Sequence, residues 1–229
     1  MKTLLIAGAT GSTGSRVLAL ALEDDRFDKV IILVRKSLSM RHVKLEQWIS
    51  PCDDLLAALC NEPVHAIVCC LGTTIKAVGG DRTRFVHVDK DLVVGLGEWA
   101  VRLRVPVFAV VSAIGADPKS GVFYSRVKGE MEAALRALAL PRLHVFHPSI
   151  LTGKRAEFRL GERIGIAVMT LLQPFFFGTL ARYKPMPVHV LAAAMLNAVC
   201  KAGGGPAVQV HAYAEIKELA ARQAPPATR

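Results

Sequence analysis

Residues 3–14 constrain this chain most. An apolar run from Thr3 to Ala7 passes straight into Gly8-Ala9-Thr10-Gly11-Ser12-Thr13-Gly14, and helical periodicity begins at about Ser15. Three glycines spaced three apart let the backbone turn sharply and bring its N–H groups close to a phosphate. The positive end of the following helix adds its field at the same point. Thr10, Ser12 and Thr13 supply hydroxyl donors within the loop. A glycine turn can be purely steric, but one set between a strand and a helix points to a dinucleotide pyrophosphate.

The rest of the chain repeats the alternation. Short β-branched runs at 29–34, 66–71, 105–112 and 143–146 are separated by helical periods near 90–103, 124–138 and 190–201, with a weaker strand near 42–49. A short helix is expected over 53–60 with Asp53 as its cap, and a short strand and a last helix follow Gly203-Gly204-Gly205. That order predicts βαβ units. The fold class is α/β: a Rossmann-type doubly wound parallel sheet flanked by helices, with a small C-terminal lobe. Residues 1–147 form the nucleotide-binding core, and 148–229 form a lobe that completes the same domain and faces substrate or partner.

Composition narrows the classes of function. The formal charge is +10, from 29 basic and 19 acidic residues. The basic residues are spread along the chain with no run of five, so a solvated basic surface is favoured and no nucleic-acid partner is expected. Five cysteines, with no pair at Cys-x-x-Cys spacing, indicate neither a disulfide frame nor a zinc site. Reduced, mostly buried thiols, together with an N-terminal apolar run too short for a signal peptide, predict a cytoplasmic protein. The uncharged stretch 164–180 contains Gln173 and Pro174. It reads as a buried helix or lobe, with a peripheral membrane or protein partner as the alternative. Monomer and homodimer both remain open. The histidines show no metal-ligand spacing, and no metal is expected.

The end of the second strand bears on the cofactor. An acidic residue there would accept hydrogen bonds from a ribose 2′-hydroxyl and repel a 2′-phosphate. This chain has Val34-Arg35-Lys36 instead. Arg35 can stack on adenine and pair with the phosphate, with Lys36 beside it, so NADP(H) is expected and NAD(H) is less favoured. A basic turn facing water would read the same way.

Tyr124 and Lys128 are four residues apart and share one helix face, and Ser112 closes a strand twelve residues before the tyrosine. A phenol with an ordinary pKa of about 10 is a poor proton donor and acceptor at neutral pH, and an adjacent ammonium stabilises its ionised form. Tyr124 therefore reads as acid/base, Lys128 as its modulator and ribose ligand, and Ser112 as the group that orients the reacting oxygen.

These segments, with Cys69-Cys70-Leu71-Gly72-Thr73-Thr74, residues 111–117, 123–132 and 147–162, resemble the atypical short-chain dehydrogenases/reductases from strand 1 to about Ala198. Within that class the chain is most similar to the Tat-interactive-protein-like NAD(P)-binding oxidoreductases. The resemblance implies that Leu71, Gly72 and Thr73 flank the cofactor ribose and that Pro148 lies near the nicotinamide. It makes Ser112, Tyr124 and Lys128 a reductase triad acting on a small carbonyl or alcohol. Two departures stand out. The asparagine many of these enzymes place after strand 4 falls near Asp89, and His147-Pro148-Ser149 replaces a more usual Arg-Pro-Gly. An NADPH-sensing regulatory protein with little turnover, and a nucleotide-sugar epimerase, are the alternatives. Arg155, Glu157, Arg159 and Glu162 read as ion-paired surface, with a grip on an anionic substrate as the other reading.

Overall fold

A computed structural model describes residues 2–50, 52, 54–152, 184–201 and 205–222. Seven strands form one parallel sheet in the order β3-β2-β1-β4-β5-β6-β9. They are β1 (Thr3–Ala7), β2 (Lys29–Val34), β3 (Leu45–Ile49), β4 (Ala66–Cys69), β5 (Phe108–Val111), β6 (Leu143–Phe146) and β9 (Val208–His211). Short β7 (Leu151–Thr152) and β8 (Met186–Pro187) pair with each other in parallel beside it. The chain starts in the middle at β1, winds outward through β2 and β3, then returns to the other side of β1 with β4. The reversal opens a crevice at the carboxyl ends of β1 and β4, the place where ligands bind in sheets of this kind.

Both faces of the sheet are covered at its centre, which is why β1, β4 and β5 are almost wholly apolar, while the edge strands β3 and β9 are half polar. Leu4, Ile6, Val30, Ile32 and Val68 point to the face packed by α1 (Ser12–Leu22), α5 (Val188–Cys200) and α6 (Tyr213–Ala221). Their neighbours Leu5, Ala7, Ile31, Leu33 and Ile67 point to the opposite face, under α3 (Leu92–Arg102) and α4 (Phe123–Ala137). A buried imidazole pair, His144 Nδ1 to His211 Nε2 at 2.9 Å, crosses from β6 to β9 and docks the last strand.

Several local boundaries differ from the sequence reading. Helix α1 begins at Ser12 because Gly11 already has cap geometry, so Ser12 and Thr13 lie within its first turn while Thr10 stays in the loop. In place of a helix over 53–60 there is a single 3₁₀ turn, Leu55–Ala58, capped by Asp54, whose side chain accepts from the Leu56 N–H. Asp53 lies outside the described residues. The helix expected from Lys90 begins much earlier, with α2 (Arg82–Val86) capped by Asp81 and joined to α3 through a one-turn π segment, His87–Asp91. Cys52 and Cys60 are exposed, and Cys69 is buried while Cys70 and Cys200 are partly so. The expectation of mostly buried thiols fails at Cys52 and Cys60, because Leu55 and Leu56, not the two cysteines, turn toward the core in this connection. The 164–180 stretch and the charged cluster at 155–162 fall outside the described residues. Among the described residues no helix is long and apolar enough to cross a membrane.

Candidate active site

The glycine loop is held by close backbone packing. Gly8 has φ +82°, and a Cβ there would lie 2.6 Å from the Cys70 carbonyl oxygen. A Cβ on Gly14 would meet the Gly8 carbonyl oxygen, which already accepts the Gly11 N–H at 3.0 Å. Only hydrogen fits at either position, so the loop turns tightly and α1 starts hard against it. Thr10 and Gly11 are exposed, Ser12 is half-buried, and Thr13 and Gly14 are buried. No side chain caps α1 and its first turn carries no acidic residue, so its positive end is left for an external anion. These residues fit a dinucleotide pyrophosphate.

Register places the flanking segments. Leu33 is level with Ala7, so the exposed Arg35 and Lys36 leave β2 alongside the glycine loop. Cys69 is level with Ala7 on the other side, and the Cys70 N–H bonds the Ala7 carbonyl at 2.8 Å. Leu71, Gly72 and Thr73 therefore form the opposite lip of the crevice.

Helix α4 carries candidate groups along one stripe. Tyr124, Lys128 and Glu132 are spaced by four and lie on one face. The start of α4 is fixed by rings: Phe123 lies against Phe85, with the guanidinium groups of Arg82 and Arg126 at 5.0 and 5.8 Å from its ring, and Tyr124 meets Phe85 edge-on at 6.0 Å. Tyr124 is 42% exposed. Gly129 lets the helix press on the backbone of Asp117 and Pro118.

Lys128 is buried, and its Nζ pairs with Asp89 Oδ1 at 2.8 Å. The other Asp89 oxygen accepts the Thr73 N–H at 2.7 Å. A Cβ on Gly72 would lie 3.3 Å from Asp89 and 3.7 Å from Lys128 Nζ, which places this pair under the lip of the crevice. Asp89 thus occupies the position at which the sequence reading missed an asparagine, and it engages the lysine directly.

Ser112 is buried at the end of β5, with its N–H on the Phe146 carbonyl at 2.8 Å. Its hydroxyl donates to Glu132 Oε1, which also meets His147 Nε2 at 2.7 Å. Arg136 bonds the second carboxylate oxygen at 2.9 Å. Burial alone would raise the Glu132 carboxyl, but the bonds from His147 and Ser112 and the Arg136 charge hold it below the ordinary glutamate range. In this arrangement the single hydrogen of Ser112 is directed at a carboxylate and the serine oxygen keeps only acceptor capacity. Sequence reasoning passed over Glu132, although its spacing of eight from Tyr124 was visible. Pro148 is buried, and its carbonyl accepts the Ile114 N–H at 3.3 Å, tying the segment after β6 to the loop after β5.

This crevice, flanked by a bare helix start and a Tyr-x-x-x-Lys helix, agrees with what comparison finds. Protein HTATIP2 of Rattus norvegicus is 34% identical over 214 residues, covering 89% of this chain and 84% of its own. The chain belongs to the family of the proteins HTATIP2 and FMP52. Another member, mitochondrial protein FMP52 of Eremothecium gossypii, is 31% identical over 164 residues, covering 72% of this chain and 73% of its own. No protein-family model matches the chain.

Solved structures with the same fold include UDP-glucose 4-epimerase of Thermotoga maritima, at TM-score 0.63 and 17% identity, covering 92% of this chain and 76% of that one. WbmH of Bordetella bronchiseptica, solved with NAD+, gives TM-score 0.64 at 19% identity, covering 93% and 75%. The cytoplasmic expectation is overturned, because the fungal relatives are named as mitochondrial proteins. Thiol usage distinguishes reducing from oxidising compartments and carries no information to separate cytosol from mitochondrion.

Proposed function

We propose that this HTATIP2/FMP52 family member is an NADP(H)-dependent oxidoreductase acting on a small carbonyl or alcohol. The observation that carries the reading is the stripe of Tyr124 and Lys128 on α4, with Lys128 buried beneath Gly72 at the mouth of the crevice. The glycine loop and the α1 N-terminus would hold the pyrophosphate, and Arg35 and Lys36 the 2′-phosphate. Leu71, Gly72, Thr73 and Pro148 would flank the ribose and nicotinamide. The bound nicotinamide supplies or accepts a hydride. Tyr124 moves the proton at the reacting oxygen, Lys128 favours its ionised form and holds ribose hydroxyls, and Ser112 orients the reacting oxygen, accepting from an alcohol and donating to a carbonyl once its hydrogen turns away from Glu132. The described residues beyond Pro148, with α5 and α6, pack on the sheet face that carries α1 and would complete the domain.

A second reading, an NADPH-sensing protein with little turnover, is favoured by one observation. Glu132 takes the Ser112 hydrogen, and a serine without that hydrogen cannot donate to a carbonyl oxygen. The epimerase reading is supported by the fold of its structural neighbours, but the chain spans about three quarters of their length.

Titration with NADPH and NADH, followed by NADPH oxidation across a carbonyl panel, separates these readings. The oxidoreductase reading expects tighter NADPH than NADH binding, a preference abolished in Arg35→Ala. It also expects turnover that Tyr124→Phe removes while NADPH affinity stays within about twofold. Tight NADPH binding with no oxidation would move the assignment to the sensor. Equal affinity for both dinucleotides would refute the role of Arg35.

A further inference from the structure

The strongest unassigned feature is the Asp89 carboxylate, which is 1% exposed and divided between two segments of the site. One oxygen holds the Lys128 ammonium from α4, and the other holds the Thr73 N–H from the lip after β4. The residue lies inside the π segment His87–Asp91, whose wider turn interrupts the register between α2 and α3. Such single-turn insertions recur at functional sites, where they re-aim a side chain. Both neighbouring acids, Asp91 and Glu130, are more exposed, and Lys90 Nζ pairs with Glu130 at 3.1 Å. The inward carboxylate is therefore Asp89.

We propose that Asp89 is a positioning residue of the cofactor site: it clamps Lys128 and the Leu71–Thr73 lip together, so that a dinucleotide ribose meets an ammonium and a loop that are already fixed. The proposal rests on the NADP(H) reading above. A buried ammonium left without a partner is strongly unfavourable, whereas removing both charges together costs far less. One bond to Asp89 leaves the ammonium two further N–H donors for ribose hydroxyls. An asparagine at 89 could serve only one of the two partners. Its oxygen could accept from Lys128 or from Thr73, and its NH₂ would then face a donor.

The test is a double-mutant cycle on the full chain, read by NADPH fluorescence titration and by the melting temperature of the ligand-free protein. Asp89→Asn is expected to weaken NADPH binding about tenfold, the scale of one lost charge-assisted hydrogen bond. Lys128→Met is expected to weaken it at least as much. In Asp89→Asn/Lys128→Met the loss should be no greater than in Lys128→Met alone, because Asp89 acts through the lysine. The double variant should also melt above Asp89→Asn, which keeps the fold testable if the single variant is unstable.

Additive losses, or an Asp89→Asn protein that melts lower yet binds NADPH like wild type, would overturn the proposal and leave a purely structural ion pair. A wild-type chain that binds no NADPH would instead overturn the cofactor reading, and this proposal with it.

Discussion

Substituting alanine for three glycines separates the two demands made on the glycine loop. Gly121 has an ordinary φ and open space around its Cβ position, so Gly121→Ala should change stability by no more than about 0.5 kcal/mol. Gly80 has φ +88° and equally open space, so Gly80→Ala isolates the cost of a left-handed backbone, about 1–2 kcal/mol. Gly8 combines φ +82° with a Cβ 2.6 Å from the Cys70 oxygen, 2.7 Å from its carbonyl carbon and 2.9 Å from the Leu71 nitrogen. All three are backbone atoms of the adjacent strand end, and none can rotate aside.

Overpacking of about 1–3 kcal/mol is therefore added to the conformational cost, for a total of about 2–5 kcal/mol. At about 2–4 °C per kcal/mol for a chain of this size, Gly8→Ala should melt roughly 4–20 °C below wild type. Parting β1 from the lip after β4 also displaces the N–H groups aimed at the phosphates, so NADPH affinity should fall at least about tenfold in Gly8→Ala and hold in Gly121→Ala. Differential scanning calorimetry and NADPH titration on the three variants are sufficient. If Gly8→Ala melted with Gly80→Ala, the close approach to Cys70 would carry no weight. If it bound NADPH normally, the loop would not be the phosphate site.

Three further outcomes follow from the buried polar groups and the thiols. Glu132→Gln leaves Arg136 without its charge partner and weakens the bonds to Ser112 and His147; urea denaturation should show a loss of about 2–3 kcal/mol with NADPH affinity unchanged. Burial, the facing His211 and the charges of Arg142 and Lys201 push His144 down to about 4, and burial also lowers His211, which faces Glu215 and Lys201. The unfolded chain binds those protons first, so stability present above about pH 6.5 should fall as pH drops towards 4, by on the order of 3 kcal/mol. His144→Gln should flatten that slope in denaturation midpoints measured from pH 7 to 5. Ellman's reagent should react at once with the exposed Cys52 and Cys60, while Cys69, buried and pushed up to about 11, reacts only on unfolding; fast labelling of Cys69 would contradict its place in β4.

How much was legible depends on how local the cause is. The strand, glycine loop and helix at 3–22 are set by residues adjacent in the chain, so their identity and order could be read directly, as could β2 and β6. Tyr124 and Lys128 share a face through helix geometry alone, and the same rule would have found Glu132. What could not be read is what each of these side chains meets. Asp89 and Lys128 are 39 positions apart and Ser112 and Glu132 are 20 apart, and they touch because β4, β5 and α4 are brought together by the winding of the sheet. The π turn that aims Asp89 inward leaves no periodicity signal. Hydrophobic pattern and backbone chemistry thus determined the fold and the glycine loop. Only tertiary packing decided that the lysine is held by Asp89 and the serine's hydrogen by Glu132, because a hydrogen-bond partner depends on proximity in space and not on spacing along the chain.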